Sequence, residues 1–161
     1  MNLTLSQKER LLLEDQKSHE EICIKKYNSY ANQAQDPELT QMFRTFAMQE
    51  QQHLDTINQM LNGQVPNMQQ GQQSQQSQQQ NQQQPRQQNQ QQVGITAGQD
   101  ADLCTDMLMT EKYVSSTYDI AVFEFADTNA RQALNHIQKE EQQHGEGIFN
   151  YMQKKGLYQP Q

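Results

Sequence analysis

The chain has 161 residues, a formal net charge of −7 and only 33% apolar residues, which suits one small domain. No cluster of Lys or Arg offers a nucleic-acid footprint, and no apolar run is long enough to cross a membrane as a helix. Met1 to Arg10 lacks an apolar signal core, so no signal peptide is expected and synthesis is expected in the cytoplasm.

Ser6 followed by Glu9 is a capping-box pattern, and it opens a first helix that runs to about Ala34. Asp36-Pro37 supplies an N-cap and a proline at the first helical position, which starts a second helix that Asn62-Gly63 ends. From Gln64 to Gln92 the sequence is nearly all Gln, with Asn, Ser, Pro85 and Arg86. Such a stretch cannot bury enough apolar surface to offset its ordering entropy, so residues 63–99 read as a disordered linker. Its composition also favours intermolecular association. Asp100 or Asp102 caps a third helix that extends to about Phe125; Asp127 or Thr128 caps a fourth, which Gly156 ends. No segment alternates with period two, so the expected class is all-α, one domain over 1–161 with hairpins at 6–62 and 100–157.

The chemistry lies in a repeated motif. Glu50 and His53 form Glu-x-x-His, and so do Glu141 and His144. Each motif follows another glutamate, Glu20 or Glu111, by 30 residues. A shift of 91 residues superimposes Glu20, Tyr27, Asp36, Glu50, His53 and Ile57 on Glu111, Tyr118, Asp127, Glu141, His144 and Ile148, which marks an internal duplication. Glu plus Glu-x-x-His from each of two hairpins is the ligand set of a two-metal site in a four-helix bundle.

Helical periodicity decides whether these groups point inward. At about 100° per residue, Leu13, Ile24, Tyr27, Ala31 and Ala34 surround Glu20, and Phe43, Phe46, Ile57 and Leu61 surround Glu50. Met107, Tyr118, Val122 and Phe125 flank Glu111; Ala130, Leu134, Ile137, Ile148 and Met152 flank Glu141. Four buried carboxylates repel one another and must bind protons, basic side chains or cations. The inward stripes carry no Lys or Arg beside them, and two imidazoles with four carboxylates suit iron or manganese, with zinc also acceptable. Protons and water in place of metal are the competing solution. Tyr27 and Tyr118 are candidates for hydroxyls that support the ligands, or for plain core aromatics. Glu21, Glu38, Asp55, Glu124, Glu140 and Glu146 read as solvated, and His19 and His136 as surface residues. No residue is assigned a catalytic role.

A linker of this length covers roughly 30–35 Å as a coil, against about 38 Å for a helix of about 25 residues. It can therefore return along the bundle, which makes the first and third helices antiparallel and relates the hairpins by a pseudo-twofold axis. Cys23 and Cys104 would then fall towards one end as half-buried thiols, with a disulfide neither required nor barred.

Glu20, Tyr27, Tyr30-Ala31, Phe43, Ala47, Glu50 and His53 resemble the first hairpin of rubrerythrins and other ferritin-like proteins. Leu12 to Leu61 and Asp106 to Tyr158, joined by the Gln-rich spacer, are more similar to the spore coat protein F-like family of endospore-forming bacteria. That resemblance implies a ferritin-like scaffold laid down in the spore coat after synthesis in the mother cell. Its expected partners are other coat proteins and further copies of itself, with neither nucleic acid nor membrane among them. It implies no reaction; the enzymatic alternative is a rubrerythrin-like di-iron or di-manganese oxidoreductase acting on peroxide or oxygen. No rubredoxin-like cysteine module accompanies the hairpins, so no electron relay within the chain is expected. Gly145 and Gly147, within the turn that follows His144, each cost about 1 kcal/mol of helix propensity and imply either close packing or a loosened turn.

Overall fold

The computed structural model describes residues 2–66 and 96–158, with residues 96 and 97 as backbone. Four helices form, α1 (Gln7–Gln33), α2 (Pro37–Leu61), α3 (Thr96–Glu124) and α4 (Thr128–Lys154). The all-α expectation holds. The described residues contain no strand beyond an isolated bridge between Asn2 and Gln64.

Local chemistry explains the boundaries. The Ser6 hydroxyl accepts from the Glu9 N–H at 3.2 Å, and Glu9 accepts from the Ser6 N–H at 2.7 Å, so the capping box is complete. Asp36 accepts from the Glu38 N–H at 2.8 Å, with Pro37 behind it. Asp127, rather than Thr128, caps α4 by accepting from the N–H groups of Asn129 and Ala130. Both hairpins stop at a glycine with positive φ, Gly63 at 76° and Gly156 at 70°. Paired bonds satisfy the last carbonyls: Gln64 N–H to Gln59 O with Gly63 N–H to Met60 O, and Leu157 N–H to Met152 O with Gly156 N–H to Gln153 O.

The third helix departs from expectation. It begins at Thr96, inside the span read as linker, and Asp100 is not its cap. Asp100 is buried, and its carboxylate accepts from the N–H groups of Gln35 and Asp36 at 2.9 and 3.0 Å, pinning the α1–α2 turn. Glu9 does the same for the α3–α4 turn, accepting from the Ala126 N–H at 2.9 Å. The two bonds are related by the 91-residue shift. Residues 63–66 are also structured, since the Leu3 N–H donates to Gly63 O at 2.7 Å. The rest of the expected linker, 67–95, lies outside the described residues.

Cross-hairpin bonds fix the topology. Glu9 meets Ala126, Gln16 meets Thr117, Lys26 meets Asp106 and Gln35 meets Asp100, so α1 and α3 run antiparallel as expected. Helices α2 and α4 are antiparallel too, with Gln49 against His144, His53 against Glu140 and Glu38 against Lys154. Two apolar clusters fill the bundle. Leu13, Ile57, Met60, Tyr118, Phe125 and Leu134 belong to one, and Tyr27, Leu39, Phe43, Met107, Ile148 and Met152 to the other. Cys23 lies in the first and Cys104 in the second, both as free buried thiols.

Candidate metal centre

Between the two clusters lies a layer of acids and imidazoles. Glu20, Glu50, Glu141 and His144 are essentially inaccessible to solvent, and His53 and Glu111 nearly so. The apolar stripes are the reason: each side chain occupies the middle of the face its helix turns inward, so packing the stripes drives the charges together. All six predicted ligand residues converge. One ligand atom each from Glu20, Glu50, Glu141 and His53 falls within 4.8 Å of the others, and the same holds for Glu50, Glu111, Glu141 and His144. Glu50 and Glu141 belong to both groups, so they occupy the position of shared carboxylates.

Both imidazoles are oriented alike. His53 turns Nδ1 inward, 3.1 Å from Glu50, 3.1 Å from Glu141 and 3.5 Å from Glu20. Its Nε2–H donates outward to Glu140 at 2.8 Å. His144 turns Nδ1 towards Glu50 at 3.3 Å and Glu111 at 3.7 Å, and its Nε2–H donates to Gln49 Oε1 at 3.0 Å. An outer acceptor on the far nitrogen fixes the tautomer that leaves the near nitrogen free to ligate. The solvated reading of Glu140 is therefore corrected: it is buried, and its partners are His53 and, at 3.3 Å, the half-exposed His136. Gln49 carries no signal of its own in the sequence, yet the duplication points to the pair, since the 91-residue shift superimposes Gln49 on Glu140.

The tyrosines cross between hairpins. Tyr27 donates its hydroxyl to Glu111, and Tyr118 donates to Glu20. Each glutamate that belongs to one ligand group only is thus held by the tyrosine of the opposite hairpin. Both rings also pack in the core, so the two readings of these residues hold together.

The remaining polar atoms are starved. Glu20 Oε2, Glu50 Oε1, Glu111 Oε2, both oxygens of Glu141 and Nδ1 of His144 have no hydrogen-bond partner. Among the described residues no Lys or Arg forms an ion pair with the six. Protonation equilibria show the strain. Burial pushes Glu20 up to about 8 despite His53, and burial followed by repulsion from Glu50 holds Glu141 well above the carboxylate range. Burial would raise Glu50 as well, but the neighbouring His144 and His53 imidazoles hold it below that range. Burial would lower His144, yet Glu111 and Glu50 lift it to about 9. His53 too is raised well above the imidazole range against its own burial, by Glu140, Glu141, Glu20 and Glu50. Without a cation, the cage gathers protons.

Helix α4 is regular through both glycines, so the loosened-turn alternative does not apply. A Cβ on Gly147 would lie 2.9 Å from Cζ of Phe46, whose ring packs on His144 with centroids 4.4 Å apart. Gly147 thus admits the aromatic wall of the site. Gly145 instead has room around it, and lines a groove of about 440 Å³ with Glu111, Glu141, Gln142, Phe149 and Tyr158. This groove leads from the surface between α3 and α4 to two of the six candidate ligands. His19 is half-buried between α1 and α3, away from the six, where its ring meets that of Tyr113 edge-on with centroids 5.5 Å apart.

Comparison with known families identifies the second hairpin. Residues 99–161, which span α4 and most of α3, match the family model of the Coat F domain, in agreement with the resemblance to spore coat protein F-like proteins. No curated protein and no solved structure matches the chain. No helix among the described residues is long and apolar enough to cross a membrane.

Proposed function

We propose that the protein is a structural component of the endospore coat whose ferritin-like bundle holds a dinuclear metal centre. The Coat F domain supports the coat role. The observation that carries the metal centre is the set of orphaned inward atoms on Glu20, Glu50, Glu111, Glu141 and His144, in a cage whose imidazoles are anchored from behind. Glu20 and His53 would hold one ion, Glu111 and His144 the other, and Glu50 and Glu141 would bridge them. Oxygen-rich donors with two imidazoles favour iron or manganese. Bound metal would supply charge that neutralises the carboxylates, and redox capacity if the ion is iron or manganese. The protein's own residues orient the imidazoles through Glu140 and Gln49, hold two carboxylates through Tyr27 and Tyr118, and exclude water with two apolar clusters.

The groove beside Gly145 favours a second reading, a peroxide- or oxygen-consuming oxidoreductase, because it offers a small molecule a route to Glu111 and Glu141. Elemental analysis after expression with iron and manganese tests the centre. About two equivalents per chain, lost in the combined Glu50→Ala and Glu141→Ala variant, are expected. Metal-free protein that is still helical and stable would leave the coat role standing and remove the centre. Peroxide turnover by the loaded protein would select the oxidoreductase.

A further inference from the structure

The outward face of α3 is apolar in a regular way. Met109, Tyr113, Ile120 and Phe123 are 68%, 61%, 59% and 83% exposed. With Ser116 between them they follow alternating steps of four and three residues, and at 3.6 residues per turn they fall in a stripe about 80° wide. Scattered surface apolar residues need no explanation, but a heptad seam on a helix whose other face already serves the core does. The stripe continues onto α1, where Ile22 is half exposed and, with His19 and Lys26, borders a cavity of about 330 Å³ shared with Met109 and Tyr113.

We propose that this face is the interface of a homodimer, with α3 of one copy packed antiparallel on α3 of a second copy about a twofold axis at Ser116. The seam is complementary to itself in that arrangement. Met109 falls beside Phe123 of the second copy and Tyr113 beside Ile120, while the small Ser116 side chains at the axis let the backbones approach. Charge agrees with the register. Lys112 and Asp119 are exposed on one flank of the stripe, one heptad apart, and neither has an ion-pair partner among the described residues. Antiparallel packing about Ser116 sets Lys112 of each copy beside Asp119 of the other, twice by symmetry. The chain's own segment 67–95 is a poor occupant, because it has only Met68, Val93 and Ile95 as apolar residues and no heptad period. The proposal is independent of the metal centre.

Multi-angle light scattering on the full chain at micromolar concentrations tests it. The expected mass is twice the 18.8 kDa of one chain. Ile120→Glu, at an exposed position, is expected to weaken the dimer at least about tenfold while circular dichroism stays unchanged. Lys112→Asp alone should weaken it, and Lys112→Asp combined with Asp119→Lys should restore it. A monomeric wild-type protein overturns the proposal. So does a dimer indifferent to Ile120→Glu, which would place self-association elsewhere, or a charge swap without rescue, which would refute the antiparallel register.

Discussion

Replacing Glu140 by Gln tests whether the two proposed metal positions are unequal. His53 is backed by a carboxylate at 2.8 Å, whereas His144 is backed by the neutral Gln49 amide at 3.0 Å. A charge-assisted hydrogen bond is worth about 1.5–3 kcal/mol and a neutral one about 0.5–1.5 kcal/mol. The carboxylate should therefore favour a cation on His53 by about 1–1.5 kcal/mol, near tenfold in affinity, at the lower end of the range of about 10–100-fold for such outer partners. Glutamine keeps the volume and the acceptor oxygen and removes only the charge, so the fold should survive. Anaerobic calorimetric titration with manganese(II) should show two steps in the wild type. In Glu140→Gln the tighter step should weaken about tenfold and merge with the other. Gln49→Glu should do the reverse, tightening the weaker step. If Glu140→Gln leaves the isotherm unchanged, or weakens the step that Gln49→Glu tightens, the assignment of outer partners is wrong.

Three further outcomes follow from the same geometry. Glu20 and His144 have folded pKa values raised from 4.5 and 6.5 to about 8 and about 9, so the folded state binds the extra protons and their stabilisation is lost as pH rises through those values; chelator-treated protein should melt at progressively lower temperature between about pH 5 and 9, and a flat or rising profile would contradict the caged-proton account. Tyr118→Phe strips Glu20 of its hydroxyl donor in a buried setting, and should destabilise the metal-free bundle by about 1–3 kcal/mol in urea unfolding. Gly145→Ala has ordinary space and should stabilise α4 by up to about 1 kcal/mol, whereas Gly147→Ala drives a methyl into Phe46 and should forfeit that gain and lower metal affinity; equal melting shifts in the two variants would count against the packing role of Gly147.

The sequence carried the six ligands because two constraints act on them together, a matched 91-residue repeat and an inward helical face. Helix ends at Ser6, Asp36 and Asp127 were legible because caps are local. Asp100 was misread for the same reason: an acidic residue at a helix start looks like a cap, and only the tertiary fold shows that it receives the Gln35 and Asp36 amides. Glu140 was misread because it lies directly beside Glu141, one step off the stripe centre, where a helix residue can face either solvent or a neighbouring helix. Its burial depends on how closely α4 approaches α2, and no single-helix pattern encodes that.

The matched Coat F domain covers α3 and α4, which contribute Glu111, Glu141 and His144. That is half of a cage. Neither ligand group can be assembled from one hairpin, since each group draws on both and Glu50 and Glu141 belong to both groups. Two identical hairpins related by a twofold axis would complete the cage, but with identical outer partners. Joining them in one chain removes that restriction. Glu9 and Asp100 still perform the same task at opposite ends, and Tyr27 and Tyr118 still cross to the opposite hairpin's glutamate. Gln49 and Glu140, by contrast, have diverged in charge while keeping their bonds to His144 and His53. The duplication thus preserves the bonds that close the bundle and relaxes a pair able to make the two proposed metal positions differ.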